Sequence, residues 1–202
     1  MKKLFALSLL SGLLISNARA LEVIELPKPQ IDRSVSLYDA LKSRKSVRSY
    51  EKKELAPQTL SNILWAAYGV NRDDGRRTIP TARNAKDLSV YIADKNGVWL
   101  YDADKNELKQ ITAENIMYAF GSQSFMKDVP AVLIYTGSDK EHNFSVMHAG
   151  SAYQNVELYA AVTDLGCVVR AMFDKDAVTK ALQLPAGQRV IVTQAIGYEK
   201  ND

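Results

Sequence analysis

Residues 149–169 read AGSAYQNVELYAAVTDLGCVV, and the apolar period changes near the end of this run. Ala149, Tyr153, Val156, Ala160 and Thr163 recur at helical spacing, which predicts a long helix from about Phe144 to Asp164 that stops at Gly166. The following CVVRAMF, residues 167–173, reads as a strand. Small residues dominate HAGSAY, residues 148–153, so this helix can approach another backbone closely. It is expected at the centre of the fold or at a subunit interface.

Working outward, Asp174 caps a helix over KDAVTKALQL, and RVIVTQAIGY is a last strand. Upstream, VPAVLIYTG is a continuous apolar run suited to a buried strand. LSVYIA, the turn DKNG and VWLYD form a hairpin in which Asn96 and Gly97 suit positive φ angles, and the turn at DADKNEL extends it to a meander. Asp102, Asp104 and Asn106 begin like a calcium loop, but Glu107 stands in the glycine position and Ala113 in that of the bidentate glutamate. Thr112 to Phe120 reads as helical. Nearer the N-terminus, Ser36 caps a short helix through Leu37, Ala40 and Leu41, and Pro57 opens a second that stops around Gly69. NRDDGRRTIPTARNAKD is a long polar loop, the kind that is usually functional or disordered in a compact domain. Strand runs separated by helices of unequal length give an α+β sandwich.

Lys2 and Lys3 precede an apolar run from Leu4 to Ile15, which leads into Ala18-Arg19-Ala20. This is the pattern of a secretory signal peptide over residues 1–20, too short in its apolar part for the about 20 residues that cross a bilayer. The expectation is an exported, periplasmic protein with no stable membrane insertion after cleavage. Removing Lys2, Lys3 and Arg19 turns 26 basic against 23 acidic residues into 23 against 23, so bulk charge does not support a nucleic-acid-binding surface. Residues 21–202 are expected to form one domain. Cys167 is the sole cysteine, which excludes an intrachain disulfide, and its apolar surroundings favour a buried inert thiol.

No G-x-G-x-x-G, G-x-x-x-x-G-K-[ST] or G-x-S-x-G occurs. His142 and His148 lack a third ligand type nearby, so no metal site is expected. What stands out is SRKSVRSY, residues 43–50, with Arg44, Lys45 and Arg48 beside three hydroxyls. Guanidinium forks and hydroxyls complement a phosphate, while a solvated charged turn is the competing reading on spacing alone.

SRKSVRSY resembles the opening signature of the FMN-dependent nitroreductase family, R-[RH]-S-x-[RK]-x-[FY]. RTIPTARNAKDLSVYI resembles its second signature, and AGSAYQNVELYAAVTDLGCVV is similar to the third, a small-residue helix with an internal Gln-Asn. The three occur in the family's order and span most of residues 36–198. The resemblance implies a nitroreductase-like α/β/α sandwich with a central mixed, mainly antiparallel sheet. It implies a homodimer with two flavin sites at the subunit interface.

By that resemblance, Arg44, Lys45 and Ser46 match positions that hold the flavin phosphate and ribityl chain. Arg48 matches the basic residue beside N1 and the C2 carbonyl, and Asn84 the asparagine on the ribityl or pyrimidine edge. Ala171 and Met172 match positions whose backbone amides approach N5 and O4. Lys86, where relatives usually carry a neutral residue, completes the expected cofactor-binding set. The implied activity is hydride transfer through FMN, with NAD(P)H as a possible donor, to a small-molecule nitroaromatic, quinone or similar acceptor; the alternative is an exported flavin carrier or sensor without turnover. No side chain is expected to act as a catalytic nucleophile, since the cofactor carries the chemistry.

Overall fold

The computed structural model describes residues 21–30 and 34–200; the expected signal peptide lies outside them. Chain order is β1 (Val23–Glu25), α1 (Leu37–Ser43), α2 (Pro57–Tyr68), β2 (Ser89–Asp94), β3 (Gly97–Asp102), β4 (Glu107–Thr112), β5 (Ala131–Ser138), α3 (His142–Ala160), β6 (Leu165–Arg170), α4 (Lys175–Leu182) and β7 (Gln188–Tyr198). Short 3-10 turns occupy Ala82–Asn84, Met117–Phe120 and Ser124–Asp128.

The strands form one sheet in the order β1-β4-β3-β2-β5-β7-β6. Each pairing is antiparallel, the limiting case of the mainly antiparallel sheet expected. Central β5 is apolar on both sides because both are covered: Leu133 and Tyr135 enter a core with α2 and α3, while Val132 and Ile134 enter a second core with α4 and the turns Met117–Phe120 and Ser124–Asp128. That is the α/β/α sandwich, an α+β fold. Among the described residues no helix is long and apolar enough to cross a membrane.

Local chemistry explains most boundaries. Ser36 Oγ accepts the Asp39 amide at 3.1 Å, Asp174 accepts that of Ala177 at 3.0 Å, and Pro57 opens α2 where its missing N–H leaves no helical bond unmade. In the β2–β3 turn only Gly97 takes positive φ, at 134°, where a Cβ would meet Thr112 O at 2.1 Å; Asn96 is instead held by its amide on Asp94 Oδ1 at 2.7 Å.

Two other expectations need correction. The long helix starts earlier, at His142, and ends at Ala160, with Gly166 inside β6. Gly166 is there because Val47 lies against it: a Cβ would come within 2.4 Å of Val47 Cγ1. Thr112 closes β4, and only Met117–Phe120 turns helically. The polar loop after α2 is tied down by a Val70–Arg77 bridge and by Thr78 N–H donating to Gly69 O at 2.9 Å.

Candidate functional site

The basic segment follows α1, whose last turn closes where the Arg44 amide donates to Ala40 O at 3.0 Å. It then runs along the edge strand β6, where Val47 N–H donates to Cys167 O at 2.9 Å. Tyr50 bridges Glu199 beyond the end of β7 and donates its hydroxyl to Val47 O at 2.6 Å. Val47 and Tyr50 are buried, so they anchor the segment to the sheet edge. Lys45, Ser46 and Arg48 between them face outward.

The cations differ in what they touch. Arg44 Nη1 lies 3.0 Å from Glu157 Oε2, a buried carboxylate of α3, and Lys45 Nζ lies 2.7 Å from Glu199 Oε1. Arg48 has no ion-pair partner among the described residues. It stands close enough to Arg170 for their charges to interact; burial first, and then Arg48, lower the Arg170 pKa, while Tyr50 acts the other way. Arg170 is buried and donates to Phe120 O and to Gln123 Oε1, the latter at 3.3 and 2.8 Å. Immediately after it, Ala171 and Met172 leave the strand exposed. Cations and the exposed residues Ala171 and Met172 therefore share the edge of β6.

Asn84 and Lys86 lie elsewhere. Their turn contains three non-glycine residues in the left-handed region, Arg83, Asn84 and Lys86, with φ of 56°, 54° and 50°. Thr81 Oγ1 accepts the Lys86 amide at 3.1 Å, and His148 Nε2 on α3 accepts the Ala82 amide at 2.8 Å. Arg44 thus grips α3 at Glu157 and the turn grips it at His148, nine positions apart, or about 13 Å along the axis at 1.5 Å per residue. One chain does not join Arg44 and Asn84 at a common contact.

Cys167 is buried as expected, and desolvation, helped by nearby Glu157, pushes its thiol up to about 12. It is no nucleophile in the native fold. Sequence reasoning missed Glu157 and Glu199 as partners of the cations. Glu157 carried a signal, since it falls one residue after Val156 and three before Ala160, on the face of the helix that the apolar spacing turns inward. Missed too was the turn's holder, His148, which has Asp87 Oδ1 2.8 Å from its Nδ1.

A profile of the Nitroreductase family matches residues 41–198. A Methanocaldococcus jannaschii protein assigned as a nitroreductase is 30% identical over 175 residues, covering 77% of this chain and 88% of that one. A Ralstonia eutropha protein, also assigned as a nitroreductase, has a crystal structure that superposes with a TM-score of 0.82 at 30% identity, covering 89% of this chain and 90% of the other. An FMN-dependent nitroreductase from Clostridium difficile shares the fold, with a TM-score of 0.58 at 17% identity over 82% of this chain and 88% of that chain.

Proposed function

The chain belongs to the nitroreductase family, and from that premise we propose an FMN-dependent oxidoreductase that passes hydride through bound flavin to a nitroaromatic, quinone or similar small acceptor. The observation that carries the reading is the edge of β6, where exposed Arg48, without an ion-pair partner among the described residues, stands by buried Arg170, the residue just before exposed Ala171 and Met172. The donor set there fits the group: cations and a hydroxyl for a phosphate, peptide N–H groups for ring acceptors, and a guanidinium for the electron-rich end of a reduced ring.

When bound, the flavin supplies the two-electron chemistry. The chain's residues supply charge and orientation. Lys45, Ser46 and the edge of Arg44 turned away from Glu157 hold the phosphate and ribityl chain, and Arg48 places fixed positive charge beside N1 and O2. Ala171 and Met172 orient the ring through their amides. Asn84 and Lys86, held apart from Arg44 in one chain, reach the cofactor from a second copy, so the working unit is a homodimer. Large exposed apolar side chains on α1, Leu37, Tyr38 and Leu41, and on α3, Val146 and Met147, support such a contact. The leader-like sequence of residues 1–20 supports a location outside the cytoplasm, where NAD(P)H is one candidate donor and a non-nicotinamide reductant another.

Stopped-flow mixing of the flavin-loaded protein with NADH, NADPH and non-nicotinamide donors tests the enzymatic reading. Rapid bleaching of the flavin band, followed by recovery on adding a nitroaromatic or quinone, is expected. Bound flavin that no donor reduces would instead make the protein a carrier or sensor.

A further inference from the structure

The segment 78–82 runs along α3 between two side chains of that helix. Asn155 Nδ2 donates to Thr78 O at 3.4 Å and to Ala66 O at 3.1 Å, and His148 Nε2 accepts from Ala82 N–H at 2.8 Å. Seven positions separate His148 from Asn155, two helical turns or about 10 Å, which an extended five-residue segment spans. The two contacts differ in kind. Asn155 divides its amide between two carbonyls, whereas the Ala82 contact depends on one lone pair of one imidazole nitrogen.

That dependence fixes the state of the ring. A neutral histidine has one nitrogen with a proton and one without, and Nε2 accepts, so the proton sits on Nδ1. Asp87 Oδ1 lies 2.8 Å from Nδ1 without making a directed hydrogen bond, and an oxygen of a carboxylate at that distance favours a proton on Nδ1. The ring is buried, with Phe144 stacked on it at 6.5 Å between centroids, so water cannot replace the acceptor. Immediately beyond Ala82 come the left-handed Arg83 and Asn84 and then Lys86, conformations that persist only where their surroundings hold them.

We propose that His148 is the positioning residue of the 82–86 turn: its unprotonated Nε2, with the tautomer set by Asp87, fixes the Ala82 amide and thereby presents Asn84 to the flavin. The link to flavin rests on the function proposed above; the positioning itself does not.

The test therefore has two readouts on the purified protein. Without flavin, the ring-nitrogen chemical shifts of His148 should show the Nδ1–H form at neutral pH, and the Ala82 amide should exchange slowly. His148→Leu should speed that exchange by at least tenfold, while His148→Gln, whose side-chain oxygen reaches the same place as an acceptor, should restore most of the protection. With FMN, affinity should fall in the same order, wild type, His148→Gln, His148→Leu. An Nε2–H tautomer, or full protection of Ala82 in a folded His148→Leu protein, overturns the proposal. Protection that follows the acceptor with no change in FMN affinity overturns its link to the cofactor. Wild-type protein that never binds FMN would instead defeat the functional reading, while the flavin-free exchange data still decide the positioning.

Discussion

Arg44 holds Glu157 across a 3.0 Å contact, and this pair joins the end of α1 to the buried face of α3. The two sides are unequally placed: the carboxylate is 9% exposed and the guanidinium 36%. Removing the outer partner strands a charge inside the protein. Removing the inner one frees a cation that can turn to water.

Arg44→Ala should therefore destabilise the fold more than Glu157→Gln. The expected loss for Arg44→Ala is about 1–3 kcal/mol, the penalty for an unsatisfied buried polar or charged group. Urea unfolding midpoints at neutral pH measure both, and equal or reversed losses would show that Glu157 does not depend on Arg44.

Arg48→Ala should leave stability almost unchanged, because the side chain is exposed and has no ion-pair partner among the described residues. It should weaken FMN binding and make the potential of the bound flavin more negative by roughly 20–40 mV, equivalent to about 1–2 kcal/mol for a two-electron couple. Spectroelectrochemical titration reads the shift directly. An unchanged potential removes Arg48 from the pyrimidine end of the ring.

Gly166→Ala should force Val47 away, since the added Cβ would lie 2.4 Å from Val47 Cγ1 and 2.7 Å from its Cβ. Overpacking of this kind costs about 1–3 kcal/mol, and it should weaken flavin binding as well because Val47 anchors the segment carrying the cations. Val47→Ala in the same protein should relieve part of the loss. A double-mutant cycle with no coupling would contradict the contact.

Alkaline pH should destabilise the protein through its buried thiol and phenol groups. Burial raises the Cys167 thiol to about 12, and burial also raises the Tyr68 hydroxyl to about 12 against the opposing charge of Arg77. The unfolded chain releases these protons first, from about pH 9 for the thiol and about pH 10 for the phenol, so it binds fewer protons than the native state across that window. Stability is full below it and falls as pH rises toward 12. Denaturant midpoints between neutrality and strong base should decline, and Cys167→Ala should flatten the first part of the decline.

Much of the scaffold was legible in residue order because it follows from local rules. Ser36 and Asp174 mark helix starts whose backbone amides their side chains accept, Pro57 marks one where no N–H is needed, and the apolar run of β5 suits a strand covered on both faces. Gly166 misled for a physical reason: a glycine after a helical pattern suggests a helix end, but this one makes room for Val47, a contact between residues over a hundred positions apart. The cationic segment was visible from its composition, whereas its partners were not, since Glu157 and Glu199 meet it only through the packing of α3 and β7 against the sheet edge. His148 was read for metal ligation and found no companions in sequence. Its actual companions, Asp87 and the Ala82 amide, come from the far end of the polar loop.

Titration of the purified protein with FMN, followed by absorbance and by sedimentation of the complex, tests the central claim most directly. The account predicts a yellow dimer that binds one flavin per chain and loses most of its affinity on Arg44→Ala. A colourless protein with no affinity for FMN, or flavin bound with equal strength after that substitution, would contradict it.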